Sequence, residues 1–317
     1  MENYGSTAVF EVQSCLEEIL GNTAQSTSDN FVRHKLVPQG HFLRAHLFRH
    51  SAQKLLVIRL YYCAIFMHSD EKSDCVSAAQ SLCGAALTRR FTMNTIAIIG
   101  AMPSELADIR ETLGNAEVKH ISGFDFYINN YKGKTLINAC CGIAKVNAAL
   151  CSQVLIDNFN PDAIINTGIA GGMDNSVKVC DIVISTDVVP HDLDLHFLKD
   201  YPPYCGIYKA DSTVIDAAEK VCSEFGITSF KGRIVSGEAF ISSSTVKANI
   251  KERLNPYAVD MESAAVGHCC YLNQVPFASV RCISDNADDE GAMSFEQFEK
   301  IAAKRVAEIV LRMTEIL

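Results

Sequence analysis

The sequence beyond residue 92 predicts an α/β fold, a single domain whose central mixed β-sheet is flanked by helices on both faces. Strand-length apolar runs alternate there with helix-length periodic segments, the pattern of a sheet covered on both sides. Several of these runs lack the every-other-residue alternation of a half-solvated strand, as buried, mostly parallel strands do. The polar motifs follow directly on such runs, and ligands of α/β sheets bind beyond the carboxyl ends of strands.

Each element has a local reason. Residues 95–99 are a continuous apolar strand. Pro103 fits a first helical turn, which needs no amide hydrogen, and Gly114 can end that helix. Residues 126–130 and 134–139 read as strands joined around Lys132-Gly133. Residues 144–159 have a helical period, with Val146, Ala149, Leu150 and Val154 expected on one apolar face. Residues 163–166 and 181–189 read as strands, 212–225 as a helix stopped by Gly226, 231–235 as a strand and 245–254 as a helix. Residues 258–259 form a short strand running into a helix over 261–273, and 277–283 a last strand. Ser294, with Gln297 three residues on, is expected to cap a C-terminal helix that reaches Ile316.

Residues 1–92 lack such order. Residues 55–58 and 61–66 are apolar, and their periodicity fits a strand or a buried helix equally. The segment is expected to be a poorly ordered N-terminal extension, upstream of a start at Met93. The 317 residues carry a net charge of −9, made up of −10 after residue 92 and +1 before it. That balance argues against a nucleic-acid surface. Thirteen cysteines without CxxC or Cys/His metal spacing point to buried reduced thiols rather than disulfides or metal ligands. No charged start followed by an apolar block opens the chain. The apolar run 55–67 is interrupted by Arg59 and is too short to span a bilayer. A cytoplasmic protein is expected, with no membrane, nucleic-acid or metal partner.

Four places carry chemistry. In Gly100-Ala101-Met102-Pro103-Ser104-Glu105, Glu105 falls in the first turn of a helix. There a carboxylate complements the helix dipole, or serves as a general base for water; the motif alone favours the helix-dipole role. Asn166-Thr167-Gly168-Ile169-Ala170-Gly171-Gly172 lacks GxGxxG spacing and has no clear helix after it. It is expected to be a turn whose backbone, around Ala170 and Gly171, comes close to a small ligand. In Ser236-Gly237-Glu238-Ala239-Phe240-Ile241-Ser242, Phe240 is either core or a stacking surface for a heteroaromatic base, with adjacent backbone reading the base edge. Finally, Val259-Asp260-Met261-Glu262-Ser263 and Arg281-Cys282-Ile283-Ser284-Asp285 put two acidic groups at strand ends. One can accept both hydroxyls of a ribose. The other, partly buried, can keep a proton near neutral pH for a leaving purine.

In this order the motifs resemble the 5′-methylthioadenosine/S-adenosylhomocysteine nucleosidases of the nucleoside phosphorylase superfamily, over residues 93–317 almost without gaps. The resemblance implies a nucleoside phosphorylase-like fold, a catalytic domain over 93–317, and hydrolysis of the adenine–ribose bond through an oxocarbenium-like transition state. Glu105 would activate the water. Glu262 would bind the ribose hydroxyls, with Met261 packed on the sugar, and Arg281 would support the acidic groups. Asp285 would protonate adenine N7, oriented by Ser284. Phe240 would stack on adenine and the Ile241 backbone would read its edge. Met102, Ile143 and Phe295 would line an apolar pocket for the 5′-thioether. No cofactor is implied, and a homodimer is, with a partner residue completing the 5′ pocket; Leu195, Phe197 and Leu198 all remain open for that role. Ile169 stands where some members have Ser, so no hydroxyl contact is assigned there. Asp260 stands where Glu is more familiar, a shorter carboxylate, so no role that depends on reach is assigned to it. A first loop with Glu105 and no arginine before Arg110 suits water rather than a phosphate dianion.

Overall fold

Among the described residues ten strands form one mixed sheet, and its pairing order explains where the polar motifs meet. The computed structural model describes residues 93–289 and 291–317, without the side chains of 291–294, 296 and 297. The expectations for residues 1–92 and for the side-chain bonds of a Ser294–Gln297 cap lie outside the described residues.

The strands are β1 (Thr95–Gly100), β2 (Glu117–Ile121), β3 (Phe124–Tyr131), β4 (Lys134–Cys140), β5 (Ala163–Gly172), β6 (Ile182–Pro190), β7 (Tyr208–Lys209), β8 (Ser229–Ser236), β9 (Ala258–Asp260) and β10 (Phe277–Asp285). The helices are α1 (Pro103–Leu113), α2 (Lys145–Phe159), α3 (Leu195–Asp200), α4 (Ser212–Glu224), α5 (Ser244–Leu254), α6 (Ser263–Asn273) and α7 (Gly291–Ile316).

β5 is the hub. It pairs in parallel with β1 on one edge and with β10 on the other, and near its end antiparallel with β9. β10 pairs with β6, β6 with β8 and β8 with β9, so five strands close a ring through β5. β4, β3 and β2 extend the sheet beyond β1. One apolar layer packs β1, β5 and β10 against α1, α4 and α7, and a second packs the opposite face against α2 and α6. These layers leave the strand ends open for side chains that do chemistry.

Three sequence expectations change. The segment 166–172 is strand, not turn: it continues β5, and its glycines meet Val259, Ala258 and the end of β10 in the ladder. In α2 the face carrying Val146 and Leu150 points outward, at 66% and 55% exposure, while Ala148, Cys151, Leu155 and Ile156 are buried. Both sides of that helix are apolar, and the small residues are the ones that fit beside α6 and the sheet. Helix α7 begins at Gly291, three residues before Ser294, and α6 begins at Ser263, two after Met261. β2, β7 and α3 were not foreseen: β2 is almost wholly exposed, and the other two are two and six residues long.

Candidate active site

Glu105 sits one turn into α1 because β1 ends at Gly100 and Pro103 starts the helix at once. Its carboxylate turns back over the β1–α1 corner. Oε2 accepts from the Ala101 and Met102 amides at 2.6 and 3.0 Å, and Oε1 accepts from the Ile169 amide of β5 at 3.0 Å. Arg281 Nη1 is 3.8 Å from Oε1. Burial raises the Glu105 pKa, while Arg281 and the three amides pull it down. The strand beneath has to be glycine: Gly168 has φ +140°, and a Cβ there would lie 2.1 Å from Glu105 Oε1 and 2.4 Å from Arg281 Nη1.

Glu262 occupies the N-cap position of α6 without capping it through its side chain. Instead Oε1 accepts from the Ala144 amide at 2.9 Å and Oε2 lies 3.4 Å from Arg281 Nη2. Burial pushes its pKa up to about 7, opposed by Arg281 and reinforced by Asp260. Arg281 on β10 is fully buried. It donates to Thr167 O at 3.0 Å and Asn166 Oδ1 at 2.7 Å, and pairs with Asp260 at 2.9 Å. Asn166, Ser236, Ser263 and Asp260 thus join the site, a group that motif reading left out because their side chains converge from four different elements.

Asp285 ends β10 and is buried. Oδ2 accepts from Ser284 Oγ and Oδ1 from the Ala287 amide, both at 2.8 Å. Burial raises its pKa against the pull of these two hydrogen bonds. Gly171 passes so close that a Cβ would come 3.0 Å from Asp285 Oδ1 and 2.8 Å from Ala287 Cβ.

Asp285, Gly171, Phe240, Ile241 and Met261 line one cleft together with Asp260, Ala239, Val259 and Ala287. Glu105, Glu262 and Arg281 are outside that lining and connect to it through Asp260. Ser284 stands behind Asp285, with its hydroxyl 3.4 Å from Ala170 O. Phe240 is 46% exposed and meets the partly buried Phe295 edge-on, with ring centroids 5.7 Å apart. Met102 packs against both apolar layers, and Ile143 is about half exposed. The arrangement offers three buried carboxylates of raised pKa, Glu105, Glu262 and Asp285, a fourth, Asp260, paired with a buried guanidinium, and an aromatic lip.

Known proteins match this chain along the same residues. The family model described as "Phosphorylase superfamily" matches residues 95–315. A 5′-methylthioadenosine/S-adenosylhomocysteine nucleosidase of Bacillus licheniformis is 42% identical over 224 residues, covering 69% of this chain and 97% of the relative. The crystal structure of the Neisseria meningitidis 5′-methylthioadenosine/S-adenosylhomocysteine nucleosidase in complex with methylthio-immucillin-A superposes with a TM-score of 0.68 at 35% identity, over 71% of this chain and 100% of that one. A futalosine hydrolase structure from Helicobacter pylori superposes with a TM-score of 0.67 at 31% identity, over 71% and 99%.

Proposed function

The chain belongs to the phosphorylase superfamily, among its 5′-methylthioadenosine/S-adenosylhomocysteine nucleosidases, and from that premise we propose how its residues carry out the reaction. It hydrolyses the N-glycosidic bond of 5′-methylthioadenosine and S-adenosylhomocysteine, releasing adenine and the 5′-substituted ribose. 5′-Deoxyadenosine, which keeps the adenine and the ribose hydroxyls, is a third substrate.

The observation that carries the mechanism is the pair Glu105 and Asp285, both buried, both held by backbone amides, both with raised pKa. Glu105 takes a proton from water as the oxygen bonds to C1′. Asp285 gives its proton to N7 as the C1′–N9 bond breaks, so that adenine leaves neutral. Ser284 holds the Asp285 carboxyl. Glu262 accepts from the ribose hydroxyls, Met261 packs on the sugar, and Phe240 stacks on the base while the Ile241 backbone reads its edge. Arg281 balances part of the buried negative charge. Water rather than phosphate is the nucleophile because the β1–α1 corner presents a carboxylate, and the nearest guanidinium is already shared between it and two others.

Residues 93–317 are the catalytic domain on this reading. The apolar Met102 and Phe295, with Ile143, accept the thioether group and favour it over the polar 5′ group of futalosine, the second substrate class suggested by the solved futalosine hydrolase. Two copies pair through the exposed apolar residues of α2 and α6, Val146, Leu150 and Leu272, which are 55–66% exposed. Exposed apolar side chains that gather into a patch are what a partner covers. The α3 segment, with Phe197 half exposed, completes the 5′ pocket of the other copy. The nine cysteines among the described residues are free, which suits a reducing cytoplasm and a role in methionine salvage.

The test is adenine release from 5′-methylthioadenosine by the purified protein with and without phosphate. Release in phosphate-free buffer, with 5-methylthioribose as co-product, is expected. A strict requirement for phosphate, with ribose 1-phosphate chemistry, would overturn the reading.

A further inference from the structure

One guanidinium faces three carboxylates in this site, and distance ranks them. Arg281 Nη2 is 2.9 Å from Asp260 Oδ2 and 3.4 Å from Glu262 Oε2, whereas Nη1 is 3.8 Å from Glu105 Oε1. Asp260, which no catalytic role absorbs, is the nearest. It is also the most fully bonded. Oδ1 accepts from Ser236 Oγ at 2.5 Å and from the Ser263 and Glu262 amides at 3.2 and 3.3 Å, and Oδ2 accepts from Ser263 Oγ. Ser236 Oγ in turn accepts from the Ala264 amide at 2.8 Å.

We propose that Asp260 is a positioning residue for the reaction, holding Arg281 back from Glu105 and Glu262 and freeing Glu262 from the capping of α6. The inference rests on the nucleosidase reading and goes beyond it. Two geometric facts carry it. The opening amides of α6 need an acceptor, and Glu262, at the N-cap position, makes no such bond with its side chain. Asp260 meets that need from two residues upstream, so the Glu262 carboxylate can turn to the Ala144 amide and the sugar. A lone guanidinium also has a limited charge to share. With Asp260 against it, the ribose and water carboxylates keep weaker counter-charge and a higher proton affinity than a directly paired carboxylate would have.

The groups that face Glu262 are Arg281 from β10, Asp260 from β9, Glu105 from α1 and the Cys141 thiol after β4. Of these, removal of Asp260 charge leaves Arg281 to Glu262 and Glu105 together, and both effects act in one direction.

The experiment compares kcat, KM and the pH profile of kcat/KM for 5′-methylthioadenosine between the full-length wild type and Asp260→Asn. The acidic limb should move to lower pH by about one unit, a tenfold change in proton affinity, and KM should rise by about tenfold. A folded Asp260→Asn enzyme with a lower Tm but an unmoved acidic limb would reduce Asp260 to a structural cap and overturn the inference. Should Asp260→Asn fail to fold, Ser236→Ala removes one hydroxyl that fixes the carboxylate and keeps its charge. KM should then rise several-fold with the limb in place, and an unchanged KM overturns the inference. A wild type that releases no adenine would sink the nucleosidase reading instead, so the two failures are distinct.

Discussion

The sugar side of the site and its base side are built on different principles. On the sugar side Glu105, Asp260, Glu262 and Arg281 are 0–7% exposed, and their charged groups are bonded to one another or to backbone amides. On the base side only Asp285 is fixed in this way, while Phe240 is 46% exposed and touches Phe295 through a ring edge. The difference teaches where the protein has done its organising before substrate arrives. Groups aimed at developing charge act best when they need not reorganise during the reaction. A stacking surface, by contrast, can be completed by the flat base itself.

The comparison breaks most sharply at the two carboxylates proposed to transfer protons. Glu105→Gln keeps the shape and removes the base, and Asp285→Asn keeps the shape and removes the acid. Each should lower kcat by about 10²–10⁴-fold, the usual worth of a positioned acid or base. Nucleoside binding, read by calorimetry on Asp285→Asn, should survive. Either variant turning over near the wild-type rate would show that its carboxyl does not transfer the proton.

Next in size is Gly168→Ala, which tests how rigid the sugar side is. The added methyl must displace Glu105 or Arg281 at a backbone φ of +140°, a conformation whose strain alone amounts to about 1–3 kcal/mol. Activity should fall at least about 100-fold, because a misplaced catalytic group loses that much through a displacement of about an ångström, and Tm should drop. An equally active and stable variant would show that the corner has slack.

Much of this contrast was legible in the residues. The order of strands and helices was, because apolar runs and helical periods are local, and so was the placement of Glu105, Glu262 and Asp285 at or just after strand ends, whereas the roles proposed for them came from the resemblance. The rest depended on partners far along the chain. Residues 166–172 look like a turn by their glycines, and only pairing with β9 and β10 makes them strand. The outward face of α2 could not be chosen because Val146 and Leu150 are as apolar as Leu155 and Ile156, and the sheet selects the side that holds Ala148 and Cys151. Asp260 drew no role from its reach, since Ser236, Ser263 and Arg281 gather around it from β8, α6 and β10.

A smaller effect lies in pH. On the sugar side the proposed roles need Glu262 and Glu105 ionised, and burial raises both pKa values, that of Glu262 to about 7. On the base side the proposed role needs Asp285 protonated, and burial raises it as well. The ratio kcat/KM should therefore climb with pH through about 7 as Glu262 loses its proton, about tenfold for each unit below that point, and fall again once Asp285 deprotonates. Asp285→Asn should keep the acidic limb and lose the basic one in its residual activity. An acidic limb set by the ordinary carboxylate range would mean that the sugar side is wetter than its geometry implies.

The smallest effect should come from the lip. Phe240→Ala removes a half-exposed ring whose edge-on contact with Phe295 is its ring partner among the described residues. Aromatic pairs contribute about 0.5–1.5 kcal/mol beyond area burial, so KM should rise roughly three- to tenfold, with kcat changing less. The split between the two constants is the sharper reading. If the base side merely receives adenine, the loss appears in KM and the pH profile stays where it was. If Phe240 also seals Asp285 from water, its removal lowers the proton affinity of that carboxyl, and the basic limb moves to lower pH with kcat. A shifted basic limb in Phe240→Ala would thus place the lip alongside the sugar side as part of the built environment and remove the distinction between them.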